Sequence, residues 1–449
     1  MTDDATPPGR PRKGPDRSPS DGRPAVLILT DLAAIARHLA LVTACEDRGL
    51  EPVLVFGPET PPEELEYHHR RGHPAVRVPS PPRVSDYGLD ATLEAAGPYL
   101  RGGRLRAVLA CGESFVETAG TLAETLGLPG TGGHAARVCR HKTLQRLAAP
   151  TLAPRWTGVH ARTPVDGDTW HHYPAVLKPT GRMCSSGVHA IADADALRAQ
   201  LPTYPDDEPL LIEERVEGPE FSVESLVHEG DIVWAGITAK QTNEHTTRFF
   251  TETGHLSPAA GLPPEAEKAL LTANATLLRS VRFGSGISHA EFRLSGNRAV
   301  LMEIAARLPG DAITRLWHLA HAVPLEPAVL DLALGIRPPA PRARRRAQQL
   351  YLEHSPGLLR EVECPGTEVS WTAESAAWPD PRPAPADAPP RRCAVLVGPR
   401  RGTLLGEAAD SFGRAVSVVT DASLDQDVAE FTHRTAKEVA IRTEEPPAD

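Results

Sequence analysis

Three short stretches carry residue types whose spacing could do chemistry. In VLKPTGRMCSSGVHAI, residues 176–191, an apolar strand delivers Lys178 into a loop of small residues that includes Gly181, Ser185, Ser186 and Gly187. Backbone N–H groups in such a loop can cradle phosphate oxygens, with the nearby lysine as a point charge. It is not a Walker loop, because the GxxxxGK-Ser/Thr pattern is absent and no helix follows directly. In LLIEERVEGPEFSVE, residues 210–224, a second apolar strand runs into Glu213, Glu214, Arg215 and Val216, then turns at Gly218-Pro219 towards Glu220. Backbone groups on that edge can pair with the polar edge of adenine, and the carboxylate further on can hold ribose hydroxyls. Taken singly, each stretch also reads as a solvated hairpin.

The sharpest stretch is GISHAEFRLSGNRAVLMEIAARLPGD, residues 286–311. Two strands flank a turn at Ser295-Gly296-Asn297, which sets Glu291 and Glu303 roughly opposite each other on an antiparallel ladder. Side chains alternate faces, so Glu303, Ala305 and Arg307 share the face of Glu291. Two carboxylates so placed repel, and one takes up a proton unless cations neutralise them. Hard, oxygen-bound Mg²⁺ bridged to nucleotide phosphates is the natural neutraliser. An arginine four residues after the second carboxylate can grip a transferring phosphoryl group or a developing oxyanion. The bland alternative is a salt-bridged surface hairpin, Glu291 and Arg293 against Arg298 and Glu303. Among smaller candidates, His255 and His289 suit substrate contact or deprotonation of an amine, with a structural hydrogen-bonded role as the alternative. Arg248 suits a substrate carboxylate, or else is solvated. His68, His69, His73, His171 and His172 lack metal spacing and read as surface residues.

Elements must hold these groups in place. Residues 25–30 read as a buried parallel strand, 32–48 as a helix with one apolar stripe stopped by Gly49, and 52–56 as the next strand. With further strands at 76–78 and 107–110 and a helix over 113–126, the alternation predicts an open α/β domain. A helix over 138–147 carries Lys142. Strands follow at 175–178, 187–191, 210–215, 221–227 and 232–238, with one helix among them at 193–200. A long helix over 265–281 leads to the hairpin, and another helix starts near 311. The basic, proline-rich stretch 338–346 looks like a domain edge. Beyond it, 348–442 holds short strands broken by a proline-rich loop at 379–390.

Composition bounds the function. The chain has 449 residues, 41% of them hydrophobic, enough to bury several cores. A net charge of −10 supplies no positive field for nucleic acid or an anionic membrane. No apolar run approaches the ~20 residues that cross a bilayer. Residues 1–23 have no apolar stretch, which excludes a secretory signal and leaves a disordered tail. Six cysteines without CxxC or metal-ligand spacing read as reduced thiols in a cytoplasmic protein.

The three stretches in this order, with Lys142 upstream, resemble the ATP-grasp superfamily over roughly 25–340. The resemblance implies an α/β (α+β) ATP-grasp fold. Its parts would be an N-terminal open α/β domain (24–133), a central ATP-grasp domain (134–340, lid about 165–228) and a C-terminal α+β module (341–449). It implies Lys142 and Lys178 as ATP-phosphate lysines, and Ser185, Ser186 and Gly187 as part of a mobile phosphate-covering loop. Glu213, Glu214 and Val216 would form the adenine hinge, and Glu220 the ribose acid. Glu291 and Glu303 would hold two Mg²⁺ ions, with Mn²⁺ as a substitute, and Arg307 would be the catalytic arginine. Many members read E-x-N-x-R where this chain has Glu303-Ile304-Ala305-Ala306-Arg307, so Ala305 offers no metal ligand. That form is similar to the bacilysin-type L-amino acid ligases, as are His289 to Glu291, the FTETGH stretch at 250–255 and the C-terminal module. The implied activity is an ATP-dependent ligase joining amino acids or close relatives through an acyl phosphate, in small-peptide or natural-product biosynthesis. The expected partners are small-molecule carboxylates and amines, and dimerisation is common among similar proteins. The alternatives are an ATP-grasp carboxylase or purine-type synthetase, and an ATP-binding protein without turnover.

Overall fold

A computed structural model describes residues 22–100, 103–166 and 169–445. The expected disordered tail at 1–23 lies outside them except for its last two residues. Strand Ala25–Thr30 is central in a parallel three-stranded sheet, between Glu51–Phe56 and Leu105–Cys111. It is apolar without alternation because both its faces are covered: Val26 and Ile28 enter one core cluster, Ala25, Leu27 and Leu29 another. The helix expected over 32–48 is two helices, Leu32–Ile35 and Leu39–Asp47. The break falls at His38, which is buried and sets Nδ1 3.3 Å from Glu326 Oε1, a partner 288 residues away. No strand forms at 76–78. Prolines at 74, 79, 81 and 82 remove ladder donors there, and only a single bridge, Phe56 to Arg83, remains. Two helices that the sequence reading passed over, Pro62–Arg70 and Leu89–Leu100, occupy this connection. His68 and His73 are buried, contrary to expectation, and His73 Nε2 lies 2.8 Å from the Ala376 carbonyl of the C-terminal region.

The helix expected over 138–147 is also two, Gly133–Arg140 and Lys142–Ala148, parted by an extended His141 at φ −124° and ψ 111°. Next comes an antiparallel four-stranded sheet in the order Trp156–Val159, Leu210–Glu214, Ala175–Pro179, His189–Ile191. Opposite it stands a nine-stranded sheet. Its first five strands, in order, are Arg298–Ala305, Gly286–Ser295, Glu220–His228, Asp231–Thr242 and Glu252–Ser257. Helix Pro264–Ser280 covers it, burying Leu270 and Leu277 against Phe292 and Leu301. The sheet does not stop at the proline-rich stretch: Glu252–Ser257 pairs with Arg345–Leu352, and Val416–Ser423, Arg391–Val397 and Val369–Trp371 continue it. Among the described residues, no helix is long and apolar enough to cross a membrane.

Candidate active site

Between the four-stranded sheet and the nine-stranded sheet lies a cleft of about 840 Å³, counting the space open to solvent. Ten of the residues singled out in the sequence line it: Lys142, Lys178, Ser185, Ser186, Glu213, Glu214, Val216, Glu220, Glu291 and Glu303. They come from segments up to 161 residues apart.

Lys178 is buried on the strand Ala175–Pro179, where a bare ammonium would be costly. Glu213 on the neighbouring strand answers it, 2.6 Å from Nζ, and also takes Arg146 Nε at 2.5 Å. Burial alone would raise the Glu213 carboxyl, but Arg146 and Lys178 outweigh it and hold the group at about 2. Glu213 therefore braces a lysine with its side chain, while the hinge position concerns its backbone. Lys142 opens the helix that begins after His141, and its Nζ donates to Glu303 Oε1 at 3.0 Å and to the Arg182 carbonyl at 2.7 Å. The extended break at His141 is what starts that helix beside Glu303.

The hairpin register is the expected one, with Glu291 opposite Glu303 and a bulge directly after Glu291. Each carboxylate has its own cation. Lys240 Nζ lies 2.5 Å from both Glu291 Oε1 and Glu252 Oε1, and 4.0 Å from Glu220 Oε1. Three carboxylates thus gather around one buried ammonium, which they hold above the usual lysine range against the opposing effect of burial. Glu220 in addition accepts from Arg293 Nε at 3.0 Å, and Arg293 donates to Glu244 at 2.6 Å. The sequence reading missed Lys240, Glu252 and Arg293 as site residues. A lysine inside the strand Asp231–Thr242 was the available signal, since a buried one demands carboxylates.

The other expected site residues lie outside the cleft lining. His289 does not line the cleft: Nδ1 is 2.8 Å from Glu224 and Nε2 is 3.0 Å from Glu291. Burial would lower its pKa, but hydrogen bonds to Glu224 and Glu291 raise it to about 9. His255 is buried behind the cleft, with Nε2 2.7 Å from Glu252 and no partner for Nδ1 among the described residues. Arg248 is exposed and stacks on Phe249, and its neighbour Phe250 lines the cleft instead. Gly187 is not among the lining residues, although a Cβ there would come within 3.2 Å of Pro179. Arg307 sits beyond Glu303, with Nε donating to Glu113 Oε2 at 2.6 Å. Glu113 follows the third strand of the three-stranded sheet, so this arginine is fixed from outside its own hairpin.

The loop at 180–188 is held in a strained shape. Cys184 and Ser185 are non-glycine residues at φ 60° and 57°, and Gly187 is at 72°. Ser185 Oγ donates to the Phe250 carbonyl at 3.2 Å, and the backbone N–H of Ser411 donates to the Cys184 carbonyl at 3.0 Å. The C-terminal region thus reaches over to fasten the loop.

Residues 171–315 match an ATP-grasp domain. The "Uncharacterized protein y4rH" of Sinorhizobium fredii is 28% identical over 267 residues, 56% of this chain and 54% of that protein. The chain thus spans about half the length of this curated relative. The L-amino acid ligase of Bacillus licheniformis has a similar structure, with a TM-score of 0.70 at 18% identity over 95% of this chain and all of the other. The phosphoribosylglycinamide synthetase of Anaerococcus prevotii gives 0.66 at 11% identity, over 94% of this chain and all of the other. The molecule has the ATP-grasp fold.

Proposed function

We propose, from the premise of an ATP-grasp domain, that this enzyme is a carboxylate–amine ligase for amino acids or amino-acid-like substrates. It would work through an acyl phosphate and release ADP and phosphate. The cleft carries this reading: Lys178, Glu291 and Glu303 converge in it from two facing sheets and Lys142 from the start of a helix, and Arg307 stands just beyond Glu303. ATP-grasp enzymes generally use ATP and Mg²⁺, and the donor set fits a hard cation, because Glu291 and Glu303 offer half-exposed oxygens on paired strands. Held there as two ions, or replaced by Mn²⁺, the metal would neutralise the charge of the phosphates.

The chain's own groups do the rest. Lys142 and Lys178 bind phosphate oxygens, the backbone at 214–216 takes the adenine edge, and Glu220 takes the ribose. Lys240 and His289 orient Glu291. The loop at 180–188, fastened to Phe250 and Ser411, keeps water from an acyl phosphate that would otherwise hydrolyse. Arg307, oriented by Glu113, offers fixed positive charge where phosphate, carboxylate and amine meet. We place the reaction in the cytoplasm, in small-peptide or natural-product biosynthesis.

The test is ADP release from Mg-ATP against a panel of single and paired amino acids, with the product read by mass. Turnover should require amino acids and yield the amide. Arg307→Ala should lower kcat about 10²–10³-fold, the loss of one transition-state donor, and Glu303→Ala should abolish it. ADP release that responds to bicarbonate and not to amino acids would replace this reading with the carboxylase or purine-type alternative.

A further inference from the structure

The loop at 180–188 carries a single charged side chain, Arg182. It lines the cleft together with Lys142 and Lys178. Its backbone is tied to the site: the Arg182 carbonyl accepts from Lys142 Nζ at 2.7 Å, and the same Nζ donates to Glu303 at 3.0 Å. One residue earlier, the Gly181 carbonyl accepts from Arg140 Nη1 at 2.9 Å. Both carbonyls are thereby pinned to the helices Gly133–Arg140 and Lys142–Ala148, so the loop enters the cleft at a fixed place.

The guanidinium is held as firmly. Nε and Nη2 donate to the two oxygens of Glu208 at 2.7 and 2.6 Å, the parallel pairing that fixes a guanidinium plane. Glu208 is not among the lining residues. Lys142 and Lys178 face Glu303 and Glu213, which line the cleft themselves, whereas Arg182 is paired from outside the lining. Its Nη1 has no hydrogen-bond partner among the described residues, and the side chain is 37% exposed, so a ligand can reach it. That nitrogen lies against Gly187, 2.9 Å from where a Cβ would stand, so any side chain at 187 would displace it. The guanidinium thus has one edge fixed by a carboxylate and one nitrogen left for an anion.

We propose that Arg182 is a nucleotide-binding residue that grips the terminal phosphate of ATP from the loop, with Glu208 positioning it. The inference rests on the nucleotide reading of the cleft and goes beyond its two lysines. The backbone of Arg182 touches Lys142, whose other contact is Glu303, the carboxylate assigned to the metal-bound phosphates. A planar donor added to two point charges fixes the orientation of the phosphoryl group to be transferred. Because Arg182 belongs to the loop, the loop's hold depends on a triphosphate, and ADP lacks the group it grips.

The experiment measures calorimetric binding of Mg-ADP and of the Mg²⁺ complex of a β,γ-imido ATP analogue to wild type, Arg182→Gln, Arg182→Lys and Glu208→Gln. Arg182→Gln should weaken the analogue about 10- to 100-fold, the range of one charge-assisted hydrogen bond, and ADP by less than about 3-fold. Arg182→Lys should fall between, keeping the charge and losing the fork, and it carries the same test if the glutamine variant fails to fold. Glu208→Gln leaves the cation in place, so the ratio of analogue to ADP affinity should stay within about 3-fold of wild type. Equal weakening of both nucleotides in the Arg182 variants, or no weakening of the analogue, would reduce Arg182 to a staple of the loop and overturn the proposal. A wild-type protein that binds neither nucleotide would overturn the reading of the cleft itself, and this inference with it.

Discussion

Glu213 neutralises Arg146 and Lys178 at once, and all three side chains are almost wholly removed from water. Its carboxyl is held at about 2, against 4.5 for an unperturbed glutamate. The sign follows from a depressed folded-state value: the group stabilises the fold fully above pH 4.5 and loses that contribution as pH falls towards 2. Glu213→Gln should therefore flatten the acid limb of a stability–pH profile measured by urea unfolding. At pH 7 the variant should be less stable by about 3–5 kcal/mol, because two buried cations lose their partner. An unchanged acid limb would show that the triad does not govern acid unfolding. Some of this was legible in the sequence, and some was not. The pairing of Glu291 with Glu303 follows from period-two alternation around a Ser-Gly-Asn turn, both local signals. The partners Lys240, Glu113 and Arg414 come from 51 to 194 residues away in sequence, and nothing local marks them.

At the scale of elements, the breaks decide where chemistry is aimed. The apolar pattern at 32–48 and 138–147 suits continuous helices, and propensity alone gives no stop at either His38 or His141. Tertiary partners impose the break at His38, through Glu326, and the extended His141 lets Lys142 start a new helix beside Glu303. The phosphate loop is likewise shaped from outside, by the Ser411 N–H on Cys184 and the Phe250 carbonyl on Ser185. Ser411→Pro should remove one of these fastenings cleanly. Position 411 opens a short 3-10 turn and the preceding Asp410 is extended, as a residue before proline must be. We expect ATP to be consumed without a matching yield of amide, moving from roughly one ADP per amide to several, because a loosened loop admits water. Parallel assays of ADP and product mass read this directly, and an unchanged ratio would show that the latch does not control water.

At the scale of the whole molecule, one sheet runs through the ATP-grasp core and into the C-terminal module. Residues 254–257 pair in register with 347–350 across the stretch that the sequence marked as an edge. Cutting the chain after residue 340 should strip the strand Glu252–Ser257 of one of its two partners and expose a row of unpaired backbone groups on that edge. Such a fragment should associate or precipitate, visible by light scattering; a monomeric, ATP-binding fragment would argue against this dependence. The same knitting joins the N-terminal three-stranded sheet region to residues 376–378, through Ala36 with Trp378 and His73 with Ala376.

That stitching bears on how the chain can be recombined with its relatives. Arg37 from one end of the chain meets Trp378 from the other, Glu113 holds Arg307, and Tyr351 and Arg414 hold Asp311. A chimera that exchanged only residues 22–133 would import a new residue at position 37 while keeping the old tryptophan opposite it. That contact would be kept only when both ends are swapped together, so the natural crossover points lie outside the pair.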